Sequence, residues 1–198
     1  MKPLRAALPA LMALAACGPI VQVGGNAPKP DVLYTLRAEP AAAAPAAATG
    51  RVVIVGPAAV PGELQTLRVP VIVGDTRLQY LTGAQWVEPP ARLVQRLLID
   101  RMTAAGLTAL APGPADAPDR VVGVTLRTLS LDARASGRFA AVARLDATLV
   151  DRSGRLIGSR SFEARESVAD DTAPVVIEGL NRAANRAAAE IAEWTAAS

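Results

Sequence analysis

The spacing of apolar side chains changes several times along the chain, and each change marks an element. Val52-Val53-Ile54-Val55 is a β-branched run bounded by Gly50 and Gly56-Pro57, the pattern of a buried strand. Tyr34-Thr35-Leu36 reads as an earlier strand that opens the fold. Val69 to Val73 is a strand interrupted by Pro70, and a residue without an N–H is expected at a sheet edge. Leu78 to Leu81 can pair with it across Gly74-Asp75. From Pro89-Pro90 the period lengthens. Proline is tolerated in the first turn of a helix, where its missing N–H would have no partner. Leu93, Val94, Leu97, Leu98, Met102 and Ala105 then recur along one helical face until Gly106 ends the pattern. Arg92, Gln95, Arg96 and Asp100 fall on the opposite face.

The second half passes through the same periods. Between Arg120 and Leu131, Val122, Val124 and Leu126 share one phase of a two-residue alternation, while Leu129 and Leu131 share the other, which predicts a bulge or bend near Arg127. Ala141, Ala143, Leu145, Ala147 and Leu149 alternate with Arg144, Asp146 and Thr148 as a half-solvated antiparallel strand. Asp151-Arg152-Ser153-Gly154 is a turn, with glycine where a positive φ is needed, and Leu156 to Ala164 returns as the hairpin partner. Asp171-Thr172 can cap a helix that begins at Ala173-Pro174. Its inner face is Val176, Ile177, Leu180, Ala184, Ala187, Ala188 and Ile191, with Trp194 near the end. Its wet face offers Glu178 with Arg182 and Arg186 with Glu190, both spaced i,i+4. Strands, helix, three strands, helix: the order predicts an α+β fold, a mostly antiparallel sheet with two amphipathic helices packed on one face.

The first 31 residues do not fit that pattern. Lys2 and Arg5 precede an apolar run from Ala6 to Ala16, and Leu14-Ala15-Ala16-Cys17-Gly18 follows, which is the order of a secretory leader with a small-residue cleavage site. The run is about half of the roughly 20 residues that a membrane-spanning helix requires. A cysteine directly after Leu-Ala-Ala resembles the lipobox of bacterial lipoproteins, in which the thiol is diacylated and the peptide is cut before it. Cys17 is therefore the expected lipid attachment site. Gly18, Pro19, Gly24, Gly25, Pro28 and Pro30 then give a segment too poor in large apolar groups to order itself. The expected division is a signal peptide at 1–16, a tether at 17–31 and one α+β domain at 32–198. Ala41 to Thr49 and Ala111 to Pro118 read as loops within it.

Composition removes several chemistries. The chain of 198 residues has no histidine and a single cysteine, so Ser-His and Cys-His nucleophiles, the usual zinc sites and internal disulfides are all excluded. There is no Gly-x-x-x-x-Gly-Lys loop for a nucleotide. The carboxylate pairs Asp170-Asp171 and Glu163/Glu166 fall at a helix start and a polar hairpin, where capping is their expected work. No cofactor and no metal are called for, and the chain reads as a non-enzyme. The net charge is +3, but Lys2 and Arg5 lie in the leader, so the exported part is nearly neutral and gives no case for nucleic acid.

Aromatic residues make up only 3% of the chain, and three of the few sit close to the first helix or open the fold. Tyr80, Trp86, Glu88 and Pro89 stand in the stretch Arg77-Leu78-Gln79-Tyr80-Leu81-Thr82-Gly83-Ala84-Gln85-Trp86-Val87-Glu88-Pro89-Pro90-Ala91-Arg92. With the lipobox, the early Tyr34-x-Leu36, Leu180-Asn181 and the closing Trp194, this pattern resembles the ABC-type transport auxiliary lipoprotein family, whose members accompany ABC transporters carrying MCE-domain proteins. The alanine-rich piece from Ala41 to Thr49 departs from it. The resemblance implies a lipid-anchored adaptor that faces the periplasm, with an MCE-domain protein, a permease and an ATPase as partners, in a system moving lipid between inner and outer membranes. Gly18, rather than aspartate after the acylated cysteine, implies sorting to the outer membrane. Tyr80, Trp86 and Glu88 are the candidate partner-binding residues, although an indole ahead of a helix can equally plug the junction of sheet and helix. A periplasmic lipid-binding carrier and an outer-membrane assembly lipoprotein are the alternatives, and self-association is left open.

Overall fold

The computed structural model describes residues 32–40, 50–113, 118–134 and 137–198. In chain order the elements are β1 (Leu33–Tyr34), β2 (Val52–Val55), β3 (Arg68–Ile72), β4 (Leu78–Trp86), α1 (Pro90–Ala104), β5 (Thr108–Leu110), β6 (Arg120–Asp132), β7 (Phe139–Asp151), β8 (Leu156–Val168) and α2 (Ala173–Ala197). The eight strands form one mixed sheet, and α1 and α2 pack against each other on one side of it. The predicted α+β class, with two helices on a single face, is what the chain adopts.

The sheet is organised around β6. One edge of β6 pairs antiparallel with β7 along its whole length, and β7 pairs in turn with β8. The other edge of β6 is shared by two strands. β2 runs parallel to its first half, with Val55 opposite Val122, and β3 runs parallel to its end, with Val71 opposite Leu131. Ala59 bridges the interval: its N–H donates to the Val124 carbonyl and its carbonyl accepts from the Leu126 N–H, both at 2.8 Å. β5 then adds outside β2, and β4 and β1 add outside β3. Most of the ladder is antiparallel, as expected, and four of the seven pairings are parallel.

The phase change in β6 is resolved by a bulge where it was predicted. Leu126 faces Leu145 and Thr128 faces Arg144, so Arg127 is the extra residue. One inserted residue restores the phase. Val122, Val124, Leu126, Leu129 and Leu131 consequently all enter the same core, and none is more than 6% exposed. The hairpin turn also matches, with Gly154 at φ +82°.

Several local expectations are corrected. β3 is not an edge strand, because it lies between β4 and β6. Pro70 is tolerated there because the β3–β4 register slips between Arg68 and Pro70 and pairing with β6 starts only at Val71. Gln95 does not point to solvent. It is buried, and its Nε2 donates to the Val55 carbonyl at 2.8 Å, satisfying an acceptor at the end of β2. Thr172 occupies the N-cap position of α2, but its hydroxyl donates to Asp170 Oδ1 at 2.6 Å instead of capping the helix. Arg182 and Arg186 turn away from their own helix to Glu166 on β8, at 3.9 and 2.5 Å. An acid on the sheet that serves two turns of α2 replaces the expected i,i+4 pairs.

Small side chains make up much of the contact between α2 and the sheet. Ala183, Ala184, Ala187 and Ala188 on the helix and Ala141, Ala143, Ala147 and Ala164 on β7 and β8 are all buried. At the larger end, Phe162 and Trp194 pack with ring centroids 5.8 Å apart. A side chain at Gly179 would run into Val168 Cγ1 and stand 2.9 Å from the Ala141 Cβ. Ala141 Cβ is fixed by its backbone and cannot yield. The helix-propensity gain of Gly179→Ala, about 1 kcal/mol, is therefore outweighed by overpacking of about 1–3 kcal/mol. Urea unfolding of this variant is expected to give a lower midpoint at an unchanged m-value.

Candidate functional site

Cys17 lies outside the described residues. The other three candidates are brought to one corner, where β4 runs into α1, but they are not equivalent. Trp86 ends β4, is fully buried and belongs to the continuous core. Its backbone N–H donates to the Leu67 carbonyl at 2.7 Å, which ties β4 to the start of β3. This is the plug geometry, and it leaves no indole surface for a partner in this conformation. Tyr80 is half-exposed on β4, with the Arg68 guanidinium 3.8 Å above its ring. Glu88 precedes α1 and pairs with Arg96, nearly two turns inside the helix. Of the three, only Tyr80 and Glu88 reach the surface.

A second feature had no counterpart in the sequence reading. Residues 35–39 cross the α2 surface as an extended strap. The Arg37 N–H donates to Asn181 Oδ1 and the Glu39 N–H to Asn185 Oδ1, each at 2.9 Å. Asn185 Nδ2 donates to the Arg37 carbonyl at 2.8 Å, and Arg101 of α1 donates to the Glu39 carbonyl at 2.9 Å. Asn181 and Asn185, one helical turn apart, thus serve an extended backbone as a neighbouring strand would. Asn185 is only 2% exposed, so its amide is fully committed. Asn181 stood out in the sequence, but its partner did not. An asparagine among alanines on an apolar helical stripe was the available signal.

The third feature is the sheet face opposite the helices. Its cross-strand rows are Gly123–Thr148–Ser159, Thr125–Asp146–Ser161, Thr128–Arg144–Glu163 and Ser130–Val142–Arg165. At its end Asp132 accepts from Arg134 Nε and Nη2 at 2.9 and 2.6 Å and from Arg165 Nη2 at 2.5 Å. The Arg134 hydrogen bond, helped by that from Arg165, holds the Asp132 carboxyl far below the usual carboxylate range, although burial opposes it. A cleft of about 260 Å³ opens beside it, walled by Leu64, Pro70 and Ile72 as well as by Arg127, Arg144 and Glu163. Asp146 in the neighbouring rows is likewise held low, by the Ser161 hydroxyl and then by Arg127. Asp132 and Asp146 are each paired with a guanidinium, and Asp146 also accepts from the Ser161 hydroxyl. The arrangement stabilises the ionised forms of Asp132 and Asp146. Among the described residues no group of three or more His, Cys, Asp or Glu side chains could hold a metal ion, and no helix is long and apolar enough to cross a membrane.

The model of the ABC-type transport auxiliary lipoprotein component matches residues 34–192, from β1 to near the end of α2. The chain belongs to this family. The matched span contains the strap, the Trp86 corner and the polar sheet face. Among solved structures, the Xanthomonas campestris protein XCC0632 of the DUF330 family superposes with a TM-score of 0.72 at 19% identity, covering 83% of this chain and 94% of that one. An uncharacterized protein gives a TM-score of 0.63 at 19% identity, covering 77% of this chain and 95% of its own. The hypothetical protein CT253 from Chlamydia trachomatis gives 0.51 at 11% identity, covering 76% and 100%. At such identities these likenesses speak to the fold. No protein of curated function matches the sequence.

Two variants test the geometry. Trp86→Ala empties a fully buried site and is expected to cost about 3–5 kcal/mol, read as a lower melting temperature. Asp132→Asn removes the negative charge and one of the two oxygens that accept from Arg134 and Arg165, both about half-exposed, and is expected to cost about 1 kcal/mol at neutral pH. The folded carboxyl is depressed, so its contribution is complete above the unfolded value near 4 and is lost as pH falls below it. The stability gap between Asp132→Asn and the parent should therefore be constant from pH 7 to 5 and narrow on further acidification.

Proposed function

We propose that this auxiliary lipoprotein is the lipid-anchored, non-catalytic adaptor of an MCE-type ABC transport system that moves lipid between the inner and outer membranes. The observation that carries the reading is membership of the auxiliary family across 34–192, joined to a lipobox cysteine ahead of the matched domain. Acylation at Cys17 supplies the hold on the membrane. One acyl chain binds marginally, at about 0.8 kcal/mol per buried methylene, and two or more bind stably. Gly18 after the acylated cysteine supports the outer membrane as the destination, with the folded domain in the periplasm.

The chemistry of the surface supports an adaptor over an enzyme. Asp132 and Asp146 on its polar sheet face are paired with arginines, and the sequence holds no histidine to move a proton near neutral pH. A carrier of acyl chains needs an apolar tunnel, whereas the cleft beside Asp132 has charged walls.

Labelled palmitate is expected to enter the parent chain and not Cys17→Ser, and the serine form should leave the membrane fraction. Equal labelling or equal fractionation would refute the anchor. Native mass spectrometry of the detergent-extracted lipoprotein with an MCE-domain partner tests the second half. A complex without bound phospholipid is expected, and copurified phospholipid without the partner would favour the carrier.

A further inference from the structure

Four of the exposed large aliphatic side chains gather at the corner where the chain arrives from its amino-terminal end. Val32 and Leu33 are 51% and 56% exposed, Val87 is 50% and Leu67 is 37%. The pairings bring them together: Leu33 lies opposite Gln85 and Gln85 opposite Arg68, the Val87 N–H donates to the Tyr34 carbonyl, and the Trp86 N–H donates to the Leu67 carbonyl. Three separate segments thus bring exposed aliphatic groups to neighbouring positions at this end of β1, β3 and β4. Among the described residues no strand lies outside β1.

We propose that this rim, Val32, Leu33, Leu67 and Val87 with Arg68 beside them, is a bilayer-contact surface that lies in the headgroup region of the membrane carrying the acyl anchor. The inference rests on the anchored reading above. Its position follows from chain length: Val32 is the first described residue, and 17–31 can span at most about 50 Å even when fully extended. A rim so close to the anchor meets the bilayer at an effective concentration on the order of millimolar, so a few aliphatic groups suffice where they would fail in free solution. Charge complements this. Arg68 stacks on Tyr80 and has no carboxylate among its described ion pairs, which suits an anionic phosphate at the level of the rim. The corner holding Tyr80 is thereby assigned to the membrane, and the polar sheet face is left for protein partners.

The acylated full-length chain has no thiol other than modified Cys17, so a single environment-sensitive fluorophore can be placed at Val87→Cys or, on the opposite edge of the sheet, at Ile157→Cys. Each labelled lipoprotein is reconstituted into phosphatidylethanolamine–phosphatidylglycerol vesicles, and attachment is first verified by flotation. Failure to float would count against the anchor itself. In floating samples, a bilayer-embedded quencher is expected to quench position 87 several-fold more than position 157, and Leu33→Glu should abolish the difference without changing the melting temperature. Equal, weak quenching at both positions overturns the inference. Shielding of position 87 that arises in detergent solution and grows with protein concentration also overturns it, because the rim would then be a contact between copies of this chain.

Discussion

The close seating of α2 on the β7–β8 hairpin is the constraint on which the rest of the architecture depends. A helix resting on large side chains stands off from a sheet, whereas here alanine meets alanine along four helical positions and Gly179 passes against Val168 and Ala141. Such an interface gains little from each residue. Alanine buries few methylenes, and its contribution comes from the density of packing that short side chains allow. The buried rings lie at the two ends, Phe162 with Trp194 at one and Trp86 at the other side of the core, while Val176, Leu180 and Ile191 pack between the alanines along the helix. Glu166 then fixes the helix against sliding by holding Arg182 and Arg186 on successive turns.

That seating also explains which parts of the fold were legible in the sequence. Both helices were, since their apolar faces bury as the 3.6-residue period requires. The β6 bulge was legible too, because a single phase slip between Leu126 and Leu129 has only one way to keep all five aliphatics in one core. The place of β3 was not. Pro70 signals an edge to any reading of local chemistry, and only the two-part pairing along β6 reveals that the ladder begins one residue later. Gln95 was misplaced for a related reason: a polar residue on a helix reads as solvent-facing unless the acceptor it must satisfy, here the Val55 carbonyl, is known.

The candidate site divides along the same line. Trp86 could be read from sequence as an anchor or a plug, and its complete burial follows from standing at the junction of β4, β3 and α1. Asp132 and Arg165 are 33 positions apart, and no periodicity links them. They meet because β7 lies between their strands in register, so a polar row across three strands becomes visible only once the meander is formed. Local period carries burial; long-range polar partners require the fold.

The strap shows why the domain can bear a load at its amino-terminal side. A short β1 of two residues gives little resistance by itself. Leu36, however, is buried in the core, and the backbone of Arg37 and Glu39 is gripped by Asn181, Asn185 and Arg101. Each such hydrogen bond adds only about 1 kcal/mol net, yet they grip neighbouring backbone groups beside Leu36 and share the load. To peel it away, several must open together and leave the Asn185 amide buried without a partner, which costs more than any one bond returns. A pull transmitted from the amino-terminal direction is therefore taken up by α2, the helix most firmly seated on the sheet.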